Sequence, residues 1–346
     1  MIRVFACLLG WLALVSASPA PPPVALDLIL GDTLPQKLSD FRFFTDMAAS
    51  RPNARVQPYH INTPLFSDYA EKYRFLYVPP GKTAAYRDGG LIDLPVGSAL
   101  IKTFGFAADL RRPHDDVTII ETRVMLRRAS GWVALPYVWN ADHSEATLRR
   151  GGTRVPARWI DAAGNPRAIS YAVPNQNQCK GCHALYEAIV PIGPKARNLN
   201  DGAQLQALVA AGMLDRAPVD APRLPRWDDP ATGTVDQRAR AYLDVNCAHC
   251  HNRHAAASNS GLYLEYDERD PVARGVMKSP TAAGRGSGGH AHAIEPGMPE
   301  KSYLLFRMES LDPGIAMPEL GRATVHDEAI GLLSAYIAAM PKREGQ

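Results

Sequence analysis

The chain has 346 residues, 46% hydrophobic and 21% charged, a balance that excludes an intrinsically disordered polymer. Lys and Arg total 38 against 35 Asp and Glu, and a formal charge of +3 gives no reason to expect nucleic acid or an anionic membrane as partner. Twenty-nine prolines and 27 glycines fit a loop-rich or β-rich protein better than a helical bundle.

Residues 1–20 carry Arg3, an apolar run from Val4 to Val15, and the small residues Ser16, Ala17 and Ser18. This is the layout of a secretory signal peptide, with cleavage expected after Ala17 or Ala20. The run is short for a bilayer span and the following PAPPPV is no stop-transfer flank, so the mature chain is expected outside the cytoplasm without a transmembrane segment.

Residues 21–173 read as a β-rich, sandwich-like domain. VTIIETRVMLRR and GWVALPYVWN form two strands joined at Ser130–Gly131, with Val124, Leu126, Val133 and Leu135 on one buried face. Turns are expected at the D-G-G of YRDGGLIDLP and at AAGNP, and Trp132, Trp139 and Trp159 are core candidates. Asp142, His143 and Ser144 are consecutive, which reads as a polar turn rather than a catalytic triad. No catalytic residue is expected.

From Pro174 the pattern turns helical. Residues 174–226 form a first segment and 227–346 a second. NDGAQLQALVAAG reads as a helix capped by Asn200 or Asp201 and stopped at Gly212. Thr234 and Gln237 form a capping box opening VDQRARAYLDVN, and VHDEAIGLLSAYIAAM closes the chain as an amphipathic helix. The overall expectation is α+β: a β-sandwich-like domain followed by a mainly α-helical region.

Cys7 falls in the signal peptide, which leaves Cys179, Cys182, Cys247 and Cys250. They form CKGCH and CAHCH, so every mature cysteine sits in a C-x-x-C-H motif, the signature of c-type haem attachment. Chance yields such a motif on the order of 0.002 times in a chain of this composition. On a helix, positions i, i+3 and i+4 share a face, so two thiols and the adjacent imidazole reach a porphyrin from one side. Disulfides and a Cys₄ zinc site compete but leave the two histidines without a role, and a thioredoxin-like pair should occur once, in a βαβ context. Two covalently attached haem c groups are therefore expected, with His183 and His251 as iron ligands.

For the second haem, Met317 in GIAMPELG is the leading sixth ligand, with Met298 and Met308 behind it. For the first haem, Met213 competes with a distant histidine (His60, His114, His143, His254, His290, His292 or His326) or with an open position. His249, between two cysteines, does not readily reach its own motif's iron.

NTPLFSDYAEKYRFLYVPPG, LPVGSALIKTF, VPNQNQCKGCH, IGPKARNLN, NCAHCHN and EPGMPEKSYLLFRM together resemble a family of exported bacterial dihaem c-type cytochromes over most of the mature chain. The resemblance implies two covalent haems and a periplasmic location, and no substrate. The order of haem motif, Met317–Pro318 and closing helix is similar to class I cytochromes c, in which the proline of a Gly193–Pro194-like pair orients the haem histidine through its carbonyl. The function expected is electron transfer between redox partner proteins. The alternative is a peroxidase-like dihaem enzyme with one open iron and a distal group such as His254, His290 or His292.

Overall fold

A computed structural model describes residues 20–281 and 283–342. The expected signal peptide lies, but for Ala20, outside the described residues. The chain enters through α1 (Leu26–Leu30) and a small antiparallel pair, β1 (Phe44–Asp46) and β2 (Arg51–Pro52). Six strands follow: β3 (Val56–Pro58), β4 (Glu71–Tyr77), β5 (Ala99–Ala107), β6 (Val117–Arg128), β7 (Gly131–Trp139) and β8 (Ala146–Leu148). They form one antiparallel sheet in sequence order.

Period-two alternation makes both faces of this sheet apolar. On one face Phe75, Ile101, Val124 and Leu135 pack with Ile29, Phe41 and Phe43. The buried polar groups of that face pair with one another: Thr103 Oγ1 lies 2.7 Å from Thr122 Oγ1, and Trp139 Nε1 donates to Thr122 Oγ1 at 2.9 Å. On the other face Leu76, Leu100, Met125 and Ala134 join Leu199, Leu205, Leu208, Met213 and Cys179 in a second core. A hairpin of β9 (Thr153–Ile160) and β10 (Pro166–Val173) covers the far end of that face, with Trp159 and Tyr171 against Phe104 and Phe106.

The rest of the chain contains α2 (Gln176–His183), the short hairpin β11 (Ala184–Leu185) and β12 (Ala188–Ile189), α3 (Ala196–Leu199), α4 (Gln204–Ala210), α5 (Val235–Asn246), α6 (Tyr303–Glu309) and α7 (Asp327–Ala338). The expected caps are present. Asp201 Oδ1 accepts from Ala203 N and Gln204 N, and Thr234 and Gln237 bond reciprocally. The expected polar turn is also present: Asp142 Oδ1 accepts from Ser144 N and Oγ.

Two expectations about architecture are corrected. The β region is not a sandwich of two sheets, because helices, loops and a hairpin cover its single six-stranded sheet. Nor is the part after Pro174 a mainly α-helical, class I-like cytochrome c region. The fold is β-rich, 22% helical, and its seven helices among the described residues are short, none over twelve residues. Between His251 and Tyr303 the backbone runs through turns at positive-φ glycines, Gly275 (φ 105) and Gly288 (φ 57) among them. There the polypeptide gains no helical core.

Candidate functional site

The first C-x-x-C-H motif lies on α2. Asn175 accepts from Gln178 N at 2.8 Å, and Gln178 Oε1 accepts from Asn175 N at 2.9 Å, so a reciprocal cap fixes the helix start four residues before Cys179. Cys179 is buried in the second core, and Cys182 and His183 follow on the same helical face.

His183 Nδ1 is 2.6 Å from Val190 O across the β11–β12 hairpin, and Val190 N donates to His183 O at 2.9 Å. With the carbonyl as acceptor, Nδ1 carries the proton and Nε2 keeps its lone pair, the tautomer a metal ligand requires. Burial pushes the His183 pKa down to about 4 against the pull of that hydrogen bond, and Lys102 and Arg123 add to the depression. The carbonyl role expected of the Gly193–Pro194 pair thus belongs to Val190; Pro194 O accepts from Ile92 N.

The second motif is not helical as expected. α5 ends at Asn246, and Cys247 to His251 form the turn that follows it. The turn still closes one helical repeat, since Cys250 N and His251 N both donate to Cys247 O, at 3.1 and 2.9 Å. Ser260 Oγ donates to Ala257 O at 2.7 Å and lies 3.2 Å from His251 Nδ1, where it can accept the ring proton. Burial pushes the His251 pKa down to about 4, and Arg307 adds to it.

The four cysteines of the two motifs are free thiols. Burial raises the pKa of each, to about 12 for Cys247 and about 11 for Cys250. A thioredoxin-like pair needs the opposite shift, so these thiols do not fit that chemistry.

The two motifs, 68 residues apart in sequence, adjoin in space. After burial, the charge next in raising the Cys250 pKa is that of Cys182, followed by Glu319. His249 is likewise held neutral by burial first and by His183 second, and its Nδ1 is buried without a partner. Tyr186 N donates to His254 O at 3.3 Å, and the rings of Tyr186 and His254 stack with centroids 4.2 Å apart. Lys195 Nζ is 2.8 Å from Asp244, whose carboxylate also accepts from Tyr266 N at 3.1 Å.

The candidate sixth ligands divide. Met308 is core, and so is Met213, 2% exposed. Met298 lies in a turn, its carbonyl accepting from Lys301 N and Ser302 Oγ. Met317 is half-buried and belongs to no hydrophobic cluster of the described residues. Its N–H donates to the carbonyl of Arg307, whose charge acts on His251, and Glu319, two residues on, acts on Cys250. His60 and His114 are exposed, and His143 packs edge-on against Trp139. His290 lies beside Phe306, and His292 Nδ1 is 2.5 Å from Glu295. His326 stacks on Phe66 at 4.0 Å and lies 3.0 Å from Tyr242 Oη.

The expectation of a metal-binding c-type cytochrome is corrected. Among the described residues no group of three or more His, Cys, Asp or Glu is placed to hold a metal ion, and the β-rich fold is unlike that of a c-type cytochrome. The donors come as one imidazole beside two thiols, twice. That set fits a tetrapyrrole which brings four iron ligands of its own, and does not fit a bare ion.

Sequence reasoning missed three features beside the motifs: the Lys195–Asp244 pair, the placement of His249 near His183, and the cations Lys72, Arg74, Lys102 and Arg123 on the sheet. The charged residues carry no spacing signal. Only strand register and loop packing assemble them.

Among the described residues no helix is long and apolar enough to cross a membrane. Compared with protein-family models, with curated proteins and with solved structures, the chain has no match.

Proposed function

We propose that this chain is an exported, periplasmic dihaem protein with c-type attachment on a β-rich scaffold, and that it passes electrons between redox partner proteins. The adjacency of the two C-x-x-C-H segments carries this reading. Haem supplies a one-electron Fe(III)/Fe(II) couple.

Attachment needs nothing the thiols lack. Each S–H would add across a vinyl C=C of the haem, forming one C–S and one C–H bond and breaking the S–H and π bonds, with no net electron transfer. Cys179, Cys182, Cys247 and Cys250 provide four such thiols. His183 and His251 each offer a neutral imidazole with Nδ1 engaged and Nε2 available to iron. The Lys195–Asp244 pair and the Tyr186–His254 stack hold the two attachment points together, as electron passage between centres requires. Met317 is the sixth ligand proposed for the second iron.

The test is export with covalent haem maturation, followed by a haem count per chain and spectra of the reduced protein with and without carbon monoxide. Two haems per chain, neither binding carbon monoxide, support electron transfer. Chains that carry no haem, or Cys179–Cys182 and Cys247–Cys250 disulfides in its place, would overturn the reading.

A further inference from the structure

The sheet face that carries Cys179 continues into a row of cations. Leu76, Leu100, Met125 and Ala134 lie abreast across β4, β5, β6 and β7 and share a core with Cys179. Two residues along each strand, Arg74 pairs with Lys102 and Lys102 with Arg123. Lys72 stands next to Arg74 on the same side of β4.

Like charges directly opposite one another weaken a sheet. Here three adjacent strands place them so, and all are at least partly buried. Of the anions nearby, Glu121 is committed through Oε1, while its Oε2 is buried without a partner. Glu121, fully buried, pairs with Arg123 and accepts from Tyr171 Oη at 2.6 Å. Asp68 accepts from Ala323 N, Thr324 N and Thr324 Oγ1. Glu71 acts on Lys72 and Arg74 only through its field.

Apart from Arg123, held by Glu121 and Tyr171, the cations make do with poor partners. Lys102 Nζ sits over the Phe104 ring at 4.7 Å, Lys72 Nζ donates to Ala70 O, and Arg74 Nη2 is buried without any acceptor. Lys102 and Arg123 also act electrostatically on His183, and Arg123 on Cys179 and Cys182.

We propose that the Arg74–Lys102–Arg123 row, with Lys72, binds the carboxylates of the haem attached at Cys179 and Cys182 and raises that haem's reduction potential. This rests on the haem reading above. The positive charge of the row offsets the charge of the two carboxylates, which would otherwise favour the oxidised iron.

The experiment uses the haem-loaded chain as wild type, Lys102→Gln, Arg74→Gln and the charge-retaining Lys102→Arg. Haem per chain is counted first. Redox titrations and the propionate bending bands of the resonance Raman spectrum follow. We expect two haems in every variant. One midpoint falls and its propionate bands shift in both glutamine variants, the other midpoint stays fixed, and Lys102→Arg keeps the wild-type values. Unchanged midpoints and bands in glutamine variants holding two haems would overturn the proposal. So would a wild-type midpoint that moves with added acetate while the propionate bands stay fixed, which assigns the row to a free anion. A wild-type chain without haem defeats the underlying reading, and the first measurement shows it separately.

Discussion

Lys195 Nζ lies 2.8 Å from both carboxylate oxygens of Asp244, and so ties the loop behind the first C-x-x-C-H motif to the helix that leads into the second. Asp244 is 2% exposed and three residues from Cys247. Removing one partner strands a buried charge. Asp244→Ala should lower stability by about 3 kcal/mol, measured by urea unfolding. The double variant Lys195→Met/Asp244→Leu should recover part of that loss. Equal stabilities for Asp244→Ala and wild type would show that the pair does not hold the motifs together.

The cysteine pairs should act independently in haem capture. Cys179→Ala/Cys182→Ala and Cys247→Ala/Cys250→Ala should each lower covalent haem from two per chain to one, read by intact mass and by haemochrome spectrum. A pair whose loss leaves the count at two is not an attachment site.

Met317 should affect coordination and not attachment. Met317→Ala should keep two haems and open one iron, so that carbon monoxide binds about half of the reduced haem. A spectrum and a carbon monoxide response matching wild type would remove Met317 as a ligand.

His326 should make the fold acid-sensitive. It is enclosed by Phe66, Tyr69, Trp227 and Tyr242, and burial pushes its pKa down to about 4, helped by Lys72 and opposed by Asp228. Glu328 lies 3.9 Å away. The unfolded chain takes up this proton near pH 6.5 and the folded chain near pH 4. Between those values the unfolded state binds more protons, so stability falls as pH falls. Relative to His326→Phe, the wild type should lose up to about 3 kcal/mol from pH 7 to pH 4 in urea titrations. Parallel pH profiles for the two proteins would count against a buried neutral imidazole.

The sequence by itself determined what depends on neighbours along the chain. The capping box at Thr234 and Gln237, the Asp201 cap, the β6–β7 hairpin and the polar turn at Asp142 to Ser144 follow from side chains bonding backbone a few residues away, and each stands as read. The two C-x-x-C-H motifs were legible for the same reason, because two thiols and an imidazole are brought together by local spacing alone. The mainly helical reading of the C-terminal half failed in the glycine- and proline-rich loops between the helices that it did place, such as α4, α5 and α7. Periodicity marked those helices, but not how little chain they occupy. A single sheet in place of a sandwich was equally hidden, since alternating strands buried on both faces read alike whether a second sheet or helices cover them. Only the tertiary structure decided which groups surround the motifs. Val190 O rather than Pro194 O accepts the hydrogen bond of His183 Nδ1, and Arg74, Lys102 and Arg123 meet through strand register. Lys195 reaches Asp244 across 49 residues of sequence. Contacts between distant segments depend on the packing of whole elements, and no local pattern of residues encodes them.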